Sequence, residues 1–461
     1  MEGNMEKQKF KLSQEESRSF YRRMFALVLP LALQNLINVG VTTADVVMLG
    51  RVGETVLSAS SLANQIYFIL NLIFFGMTSG AMVLTAQYWG KRDVAAIEKV
   101  LGIAMGITMV IAVVFTAVTL CVPAALMKIF TSEEAVIAEG VVYLRIVAWS
   151  YVLSGITMVY LYIMRSVEKV MISTCVYLIS LIVNIGLNAI FIFGLLGCPA
   201  MGIAGAALGT LIARIVELLI VIWYAKFKNR EVRFRFRYMF RFDRLLLKDF
   251  IVYSIPVMIN ELLWGAGMSA IAAIIGHLGS PVVAANSVAQ VCRQLATVVA
   301  FGLSSATAIM IGKAIGEGKY DFAEAYARKC VKLGILFGIA GSSVIQLLRP
   351  VLWNYLSLTD EAFRYLSVML FVMAYFIVAQ AYNTTLVVGV FRGGGDIKYG
   401  LFLDAVMMWC GSIFGGFLAA FVFHLPIPIV YMILVSDEVL KLPFSTWRFR
   451  SKKWLKNVTR D

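Results

Sequence analysis

Charge is scarce in this chain. Only 15% of its 461 residues are Asp, Glu, Lys or Arg, whereas 60% are hydrophobic and the mean hydropathy is +0.83. Soluble domains carry about 25% charged and about 45–50% apolar residues. The departure in both directions excludes an ordinary soluble protein, a disordered chain and a nucleic-acid-binding domain, and it makes lipid the solvent. Histidine is nearly absent: His277 and His424 both fall in loops, which leaves an intramembrane enzyme little chemistry to work with. The six cysteines are scattered and include no C-x-x-C, which excludes a disulfide framework or a zinc site and reads as buried thiols acting as small apolar residues. The segment Met1–Arg23 has no apolar core of the kind a secretory signal needs. Ser13 and Glu16 form a capping-box pattern there, which predicts a short interfacial helix ahead of the first span.

What is present is a series of apolar runs. They lie near Met24–Leu49, Leu57–Tyr88, Val100–Leu126, Val136–Met164, Val170–Leu196 and Met201–Tyr224, then near Phe250–Leu278, Val282–Met310, Val331–Leu356, Ala362–Val390, Tyr399–Phe423 and a short Ile427–Leu440. A span needs roughly 20 apolar residues, so the fold class is an all-α polytopic membrane protein with twelve transmembrane helices. The predicted organisation is an N-terminal segment 1–23, an N-lobe 24–225, a basic linker 226–249, a C-lobe 250–441 and a basic tail 442–461. In the linker, arginine alternates with aromatic residues over Arg233–Tyr238. Between two membrane halves this reads as a connector on anionic lipid headgroups, with no nucleic acid involved. If the termini and linker share one side, that side collects all but seven of the 41 lysines and arginines: Arg51, Lys128, Arg349 and Arg364 face the other side, and Arg145, Arg214 and Arg293 lie in spans. The positive-inside rule then makes both termini cytoplasmic, in a plasma membrane and most simply a bacterial inner membrane.

The chain also repeats. Shifted by 226 residues, Pro30–Gly90 lies on Pro256–Gly316 without a gap, and 13 of 61 positions are identical. They include Pro30/Pro256, Gly50/Gly276, Gly76/Gly302, Ser79/Ser305 and Gly90/Gly316; a weaker echo pairs Met164-Arg165 with Phe391-Arg392. Shared Gly, Pro and Ser carry more than shared apolar residues, because they mark kinks and close helix approaches. Six spans per half give both halves the same orientation, so these are parallel repeats with a cavity between them.

Polar residues inside lipid are costly and face a bundle interior or a wet cavity. Gln34, Asn38 and Asp45 form one helical stripe in span 1, and Asn64, Asn71 and Thr78 recur every seven residues in span 2. Their repeat partners in span 8 are Gln290, Thr297 and Ser304. These stripes, with Arg293, Gln380 and Asn383, are the predicted substrate-cavity lining. Two acids stand out, Asp45 toward the outer end of span 1 and Glu261 near the middle of span 7. A carboxylate in such a place can hold a proton or a metal cation. Asn184 and Asn188 lie one turn apart in span 5. Glu217, Asp404, Asp437 and Glu438 read as structural groups near span ends, and Gly393–Gly395 as a tight cytoplasmic loop.

Taken together, Asp45 with Gly50-Arg51-Val52-Gly53, Pro256 with Glu261, Asn184 to Gly194 leading into Gly202–Ala207, and Arg392-Gly393-Gly394-Gly395-Asp396 resemble the multidrug and toxic compound extrusion (MATE) family over nearly the whole chain. The resemblance implies two six-helix lobes in a V around a central cavity, and export of amphipathic, often cationic compounds in exchange for entering H⁺ or Na⁺. By resemblance, Asp45 matches the acid of the N-lobe site and Glu261 that of the C-lobe site, and Asn184 and Asn188 join them as cation-coupling residues. The chain departs from the family pattern where Asn188 replaces an acid in span 5, and where Ala381 and Asn383 occupy the zone of a span-10 acid found in some Na⁺-coupled members. Hard cations want several oxygens, so fewer carboxylates favour H⁺. No cofactor or bound metal is expected, and the chain is read as a monomer. The alternative is a lipid-linked saccharide flippase of the same superfamily, which would want a basic cavity for pyrophosphate; Arg145 and Arg293 are few for that task.

Overall fold

The computed structural model describes residue 10, residues 12–355 and residues 359–460. All its regular elements among these residues are helical. The first half holds α1 (Gln14–Gly50), α2 (Glu54–Lys91), α3 (Val94–Cys121), the short α4 (Pro123–Lys128), α5 (Glu134–Val147), α6 (Trp149–Ser166), α7 (Val170–Phe193) and α8 (Ile203–Trp223). After a linker containing α9 (Arg237–Phe240), the second half holds α10 (Arg244–Gly276), α11 (Ser280–Gly316), α12 (Tyr320–Tyr355), α13 (Asp360–Thr384), α14 (Ile397–Ala405), α15 (Phe414–Phe417), α16 (Ile427–Leu434) and α17 (Asp437–Arg450). π-helical turns extend α13 to Phe391 and carry the helix of α14 and α15 on to Val422. Ten of these helices are long and apolar enough to cross a membrane, and α5 with α6, bent by 49°, makes an eleventh. In hydrocarbon a helix satisfies its own backbone, which is why apolar runs of this length fold so.

Three expectations are corrected. Ser13 and Glu16 do form a capping box, but it starts α1 itself, which runs without a break to Gly50, and no separate interfacial helix precedes it among the described residues. The twelfth run is divided: α16 has only eight residues and α17 carries the chain on to Arg450, past the expected end of the lobe. Cys121, Cys175 and Cys410 are exposed on apolar helices instead of buried. The tight turn expected at Gly393–Gly395 is present at Gly394 and Gly395, and it is buried together with Arg392. The glycines are packed because Cα-only residues let the segment lie against Ala308 of α11 and Trp454 of the C-terminal segment.

The halves meet through a pair of pseudo-symmetric crossings. A Cβ at Gly76 of α2 would overlap Met258 of α10, and a Cβ at Gly302 of α11 would stand 2.9 Å from the backbone N of Ala32 of α1. Ala32 and Met258 are themselves repeat partners. At one end of the bundle Gly90 packs on the carbonyl of Lys313 and Gly316 on the carbonyl of Gln87, again a repeat pair. An apolar core runs between these crossings, with Phe20, Met24, Leu27 and Leu31 against Leu303, Ala306 and Ile309.

That end also carries the N-terminus of α1, the linker and the C-terminal segment, and it is tied by polar contacts. Lys313 pairs with Glu168 at 2.5 Å. Arg328 donates to the carbonyl of Phe10 (2.7 Å). Gln87 donates to the carbonyls of Gly393 and Lys456 (3.1 Å each) and accepts from the backbone N–H of Val458 (2.8 Å). Arg460 forms a two-pronged pair with Asp249 at 2.5 and 2.6 Å, while Lys91 donates to its carbonyl at 2.5 Å.

Candidate functional site

In the first half, the polar stripe of α1 meets α7. Asn188 donates through Nδ2 to Asp45 Oδ1 at 2.6 Å, and to Asn184 Oδ1 at 3.3 Å. Asn184 donates in turn to Thr210 of α8 at 3.3 Å. Both asparagines are buried, and Asn188 Oδ1 has no partner. It fits because the facing residue on α8 is Gly209, where any Cβ would collide with it. Asp45 is half-buried, with Arg214 near enough to act on it electrostatically; Arg214 itself is bonded to Glu217 at 2.8 Å. Asn64 accepts from Tyr143 at 3.2 Å. Asn38 and Asn64 are exposed and Asn71 half-buried. Gln34 and Thr78 are not cavity lining: Gln34 is buried against α7 and donates to Thr174 at 2.6 Å, and Thr78 is buried and donates to Phe74 of its own helix at 2.8 Å. An amide or hydroxyl facing a packed helix costs least when it bonds there.

In the second half, Glu261 of α10 accepts from Arg392 Nη2 at 2.6 Å. Arg392 Nη1 donates to Ser79 of α2, across the interface, at 3.3 Å. Asn260 donates to Asp404 of α14 at 3.0 Å. Asp404 is one of three carboxylates around Lys441 of α17, with Asp437 and Glu438, at 3.0, 2.9 and 3.3 Å. Asn383 donates to Glu438 Oε2 at 3.0 Å and accepts from Ser445 at 2.9 Å. Thr297 is buried and bonds the carbonyl of Arg293 in its own helix, so it too does not line open space. Arg293, Gln290 and Gln380 are half-buried. Arg293 has no carboxylate partner among the described residues and lies 3.9 Å from Met268 Sδ.

A family model described as MatE matches twice, over residues 30–190 and 256–415, the second match starting at the repeat partner of the first residue. The chain belongs to the MatE family. Relatives cover nearly its whole length at low identity. An uncharacterized transporter, YisQ, of Bacillus subtilis is 20% identical over 432 residues, 94% of each chain. A probable multidrug resistance protein NorM of Thermotoga maritima is 22% identical over 448 residues, 97% of this chain and 96% of its own. A NorM of Rhizobium meliloti is 26% identical over 328 residues, 71% and 70% of the two chains. The fold matches a MOP superfamily transporter of Pyrococcus furiosus, whose binding pocket is described as having reverse polarity, with TM-score 0.86 at 18% identity over 96% and 97% of the chains. It matches the outward-facing conformation of a multidrug resistance MATE family transporter with TM-score 0.84 at 20% identity over 94% and 96%.

Within this MatE fold the structure brings Asp45 to Asn184 and Asn188, and Asn260 and Asn383 to one charged network. Glu261, next to Asn260 in the chain, is bonded to Arg392. The sequence does not single out Arg392 or Lys441, and it assigns Asp404, Asp437 and Glu438 only to span ends. One signal was available: Lys441 follows Asp437 and Glu438 at helical spacings of four and three, which puts all three on one face.

Proposed function

We propose that this MatE-family protein is an antiporter that exports amphipathic, often cationic compounds by alternating access, in exchange for an entering cation, H⁺ in preference to Na⁺. The observation that carries the reading is the Asp45–Asn188–Asn184 cluster: one carboxylate at 2.6 Å from an amide donor, beside a buried oxygen with no partner. A single carboxylate held by the amide of Asn188 suits a proton better than a metal cation, which wants several oxygens. The relatives described as probable multidrug resistance proteins support a drug-type cargo. Export follows if cation binding favours a state with lower affinity for the cargo. The crossings at Gly90 and Gly316 support one end being closed in this state, and the excess of Lys and Arg supports that end being cytoplasmic.

The linker adds a lipid contact. Phe227, Phe236 and Phe240 are 62%, 72% and 76% exposed amid arginines, a pattern that suits anionic headgroups. In proteoliposomes an imposed pH gradient is expected to drive efflux of an ethidium-like dye, a Na⁺ gradient is not, and Asp45→Asn abolishes the pH-driven flux. Full flux in both Asp45→Asn and Glu261→Gln ends the assignment.

A further inference from the structure

Glu261 is already matched by a cation that belongs to the protein. Arg392 donates to it at 2.6 Å, and the two side chains are 5% and 15% exposed. The guanidinium reaches this place because π-helical turns at Thr385–Phe391 carry α13 past its regular end, and the following glycines pack the chain against α11. Its other arm holds Ser79, on the opposite half. The pair is faced by Tyr162 of α6, with Arg165 stacked over that ring at 4.3 Å, and by Asp404 of α14 through Asn260. Among the described residues, the equivalent place in the first half holds no such pair. The counterpart of Glu261 is Asn35, which donates to the carbonyl of Val298 at 3.4 Å, and Arg165, the counterpart of Arg392, donates to Ser173 at 3.3 Å.

We propose that Arg392 is the cation-specificity residue of the second half: its guanidinium occupies the place a metal ion would take at Glu261, so that Glu261 accepts a proton and not Na⁺. This rests on the antiport reading above and deepens it. Arginine keeps its charge in proteins. A sodium ion at Glu261 therefore meets a fixed positive charge within hydrogen-bond distance of the same oxygen, and must displace it. A proton adds to the carboxyl without needing that space. When it does, the charge pair ends, and Arg392 keeps its bond to Ser79 of the other half. The protonation state of α10 is thereby tied to the interface that must open.

The test is binding of radiolabelled Na⁺ to purified full-length protein in detergent, with no drug and no gradient. Wild type and Glu261→Gln are expected to bind alike. Arg392→Ala gains saturable binding, and the double variant with Glu261→Gln loses it again. Arg392→Lys, which keeps a cation in place, gains none. A folded Arg392→Ala without a gain overturns the proposal. So does wild-type binding that Glu261→Gln abolishes, a result that does not depend on any Arg392 variant folding. Failure of pH-driven dye efflux would remove the antiport reading and leave this ion measurement unchanged.

Discussion

Alanine at position 316 adds one methyl group where the structure has least room. The contacting atom is the carbonyl oxygen of Gln87, and its Cα lies 2.9 Å from the added carbon. These are backbone atoms of a helix and cannot rotate aside as a flexible side chain would. Overpacking of this kind costs about 1–3 kcal/mol. The contact joins the two halves, so the cost falls on the state in which their basic ends touch and is absent once they part. A cost of about 1–3 kcal/mol shifts such an equilibrium by about 5- to 150-fold. Gly90→Ala, against the carbonyl of Lys313, acts in the same direction. The assay is electron–electron double resonance between spin labels at the exposed positions Arg92 and Lys319, in a chain stripped of its six cysteines. Gly316→Ala is expected to move the distance distribution toward longer values. Gly186→Ala is the control: its Cβ meets nothing within 4 Å, so it leaves the distances alone and stabilises α7 by at most about 1 kcal/mol. The reasoning is refuted if Gly316→Ala keeps both the wild-type distances and the stability of the control.

Three further outcomes are expected. Lys441→Met leaves Asp404, Asp437 and Glu438 facing one another and should cost about 3–5 kcal/mol in thermal unfolding in detergent; a change within error shows that the nest is hydrated and compensated. Removing residues 456–461 strips the buried Gln87 of two partners and should cost about 1–3 kcal/mol, whereas Arg460→Ala alone, on a side chain 46% exposed, should melt close to the wild type; equal losses would place the contribution in the surface pair. The Lys99 ammonium bonded to Asp243 holds that carboxyl below the ordinary aspartate value. Its contribution is therefore present above the usual aspartate range and lost as pH falls through the lowered value, so the melting difference between wild type and Asp243→Asn should vanish in strong acid; a difference that persists there refutes the linkage.

Much of the fold was legible in the chain. Apolar runs marked the spans, and the register Pro30/Pro256 foretold that Gly76 and Gly302 would lie at equivalent crossings. The division of the last run is not legible there, because Asp437 and Glu438 suit the polar end of a span as well as the first turn of a new helix. The candidate site was legible in part. Asp45 and Asn188 were selected as polar residues in lipid, and they touch. Gln34, Thr78 and Thr297 belonged to the same stripes, yet each bonds a helix it is packed into. Periodicity fixes a face but not what that face meets. Glu261 stands out in the sequence as an acid near the middle of a span, but nothing in local pattern links it to Arg392, 131 residues on.

The sequence by itself determined a helical membrane protein made of two like-oriented halves. Lipid offers the backbone no partners, so each long apolar run must close its own hydrogen bonds as a helix, and that is a local property. Only the tertiary structure decided which charges are paired or hydrogen-bonded, and by what. Asp45 and Asn188 are 143 residues apart, and Glu261 and Arg392 are 131 apart. A buried ion pair depends on distances of a few ångströms between side chains, which packing of the helices sets and local pattern does not.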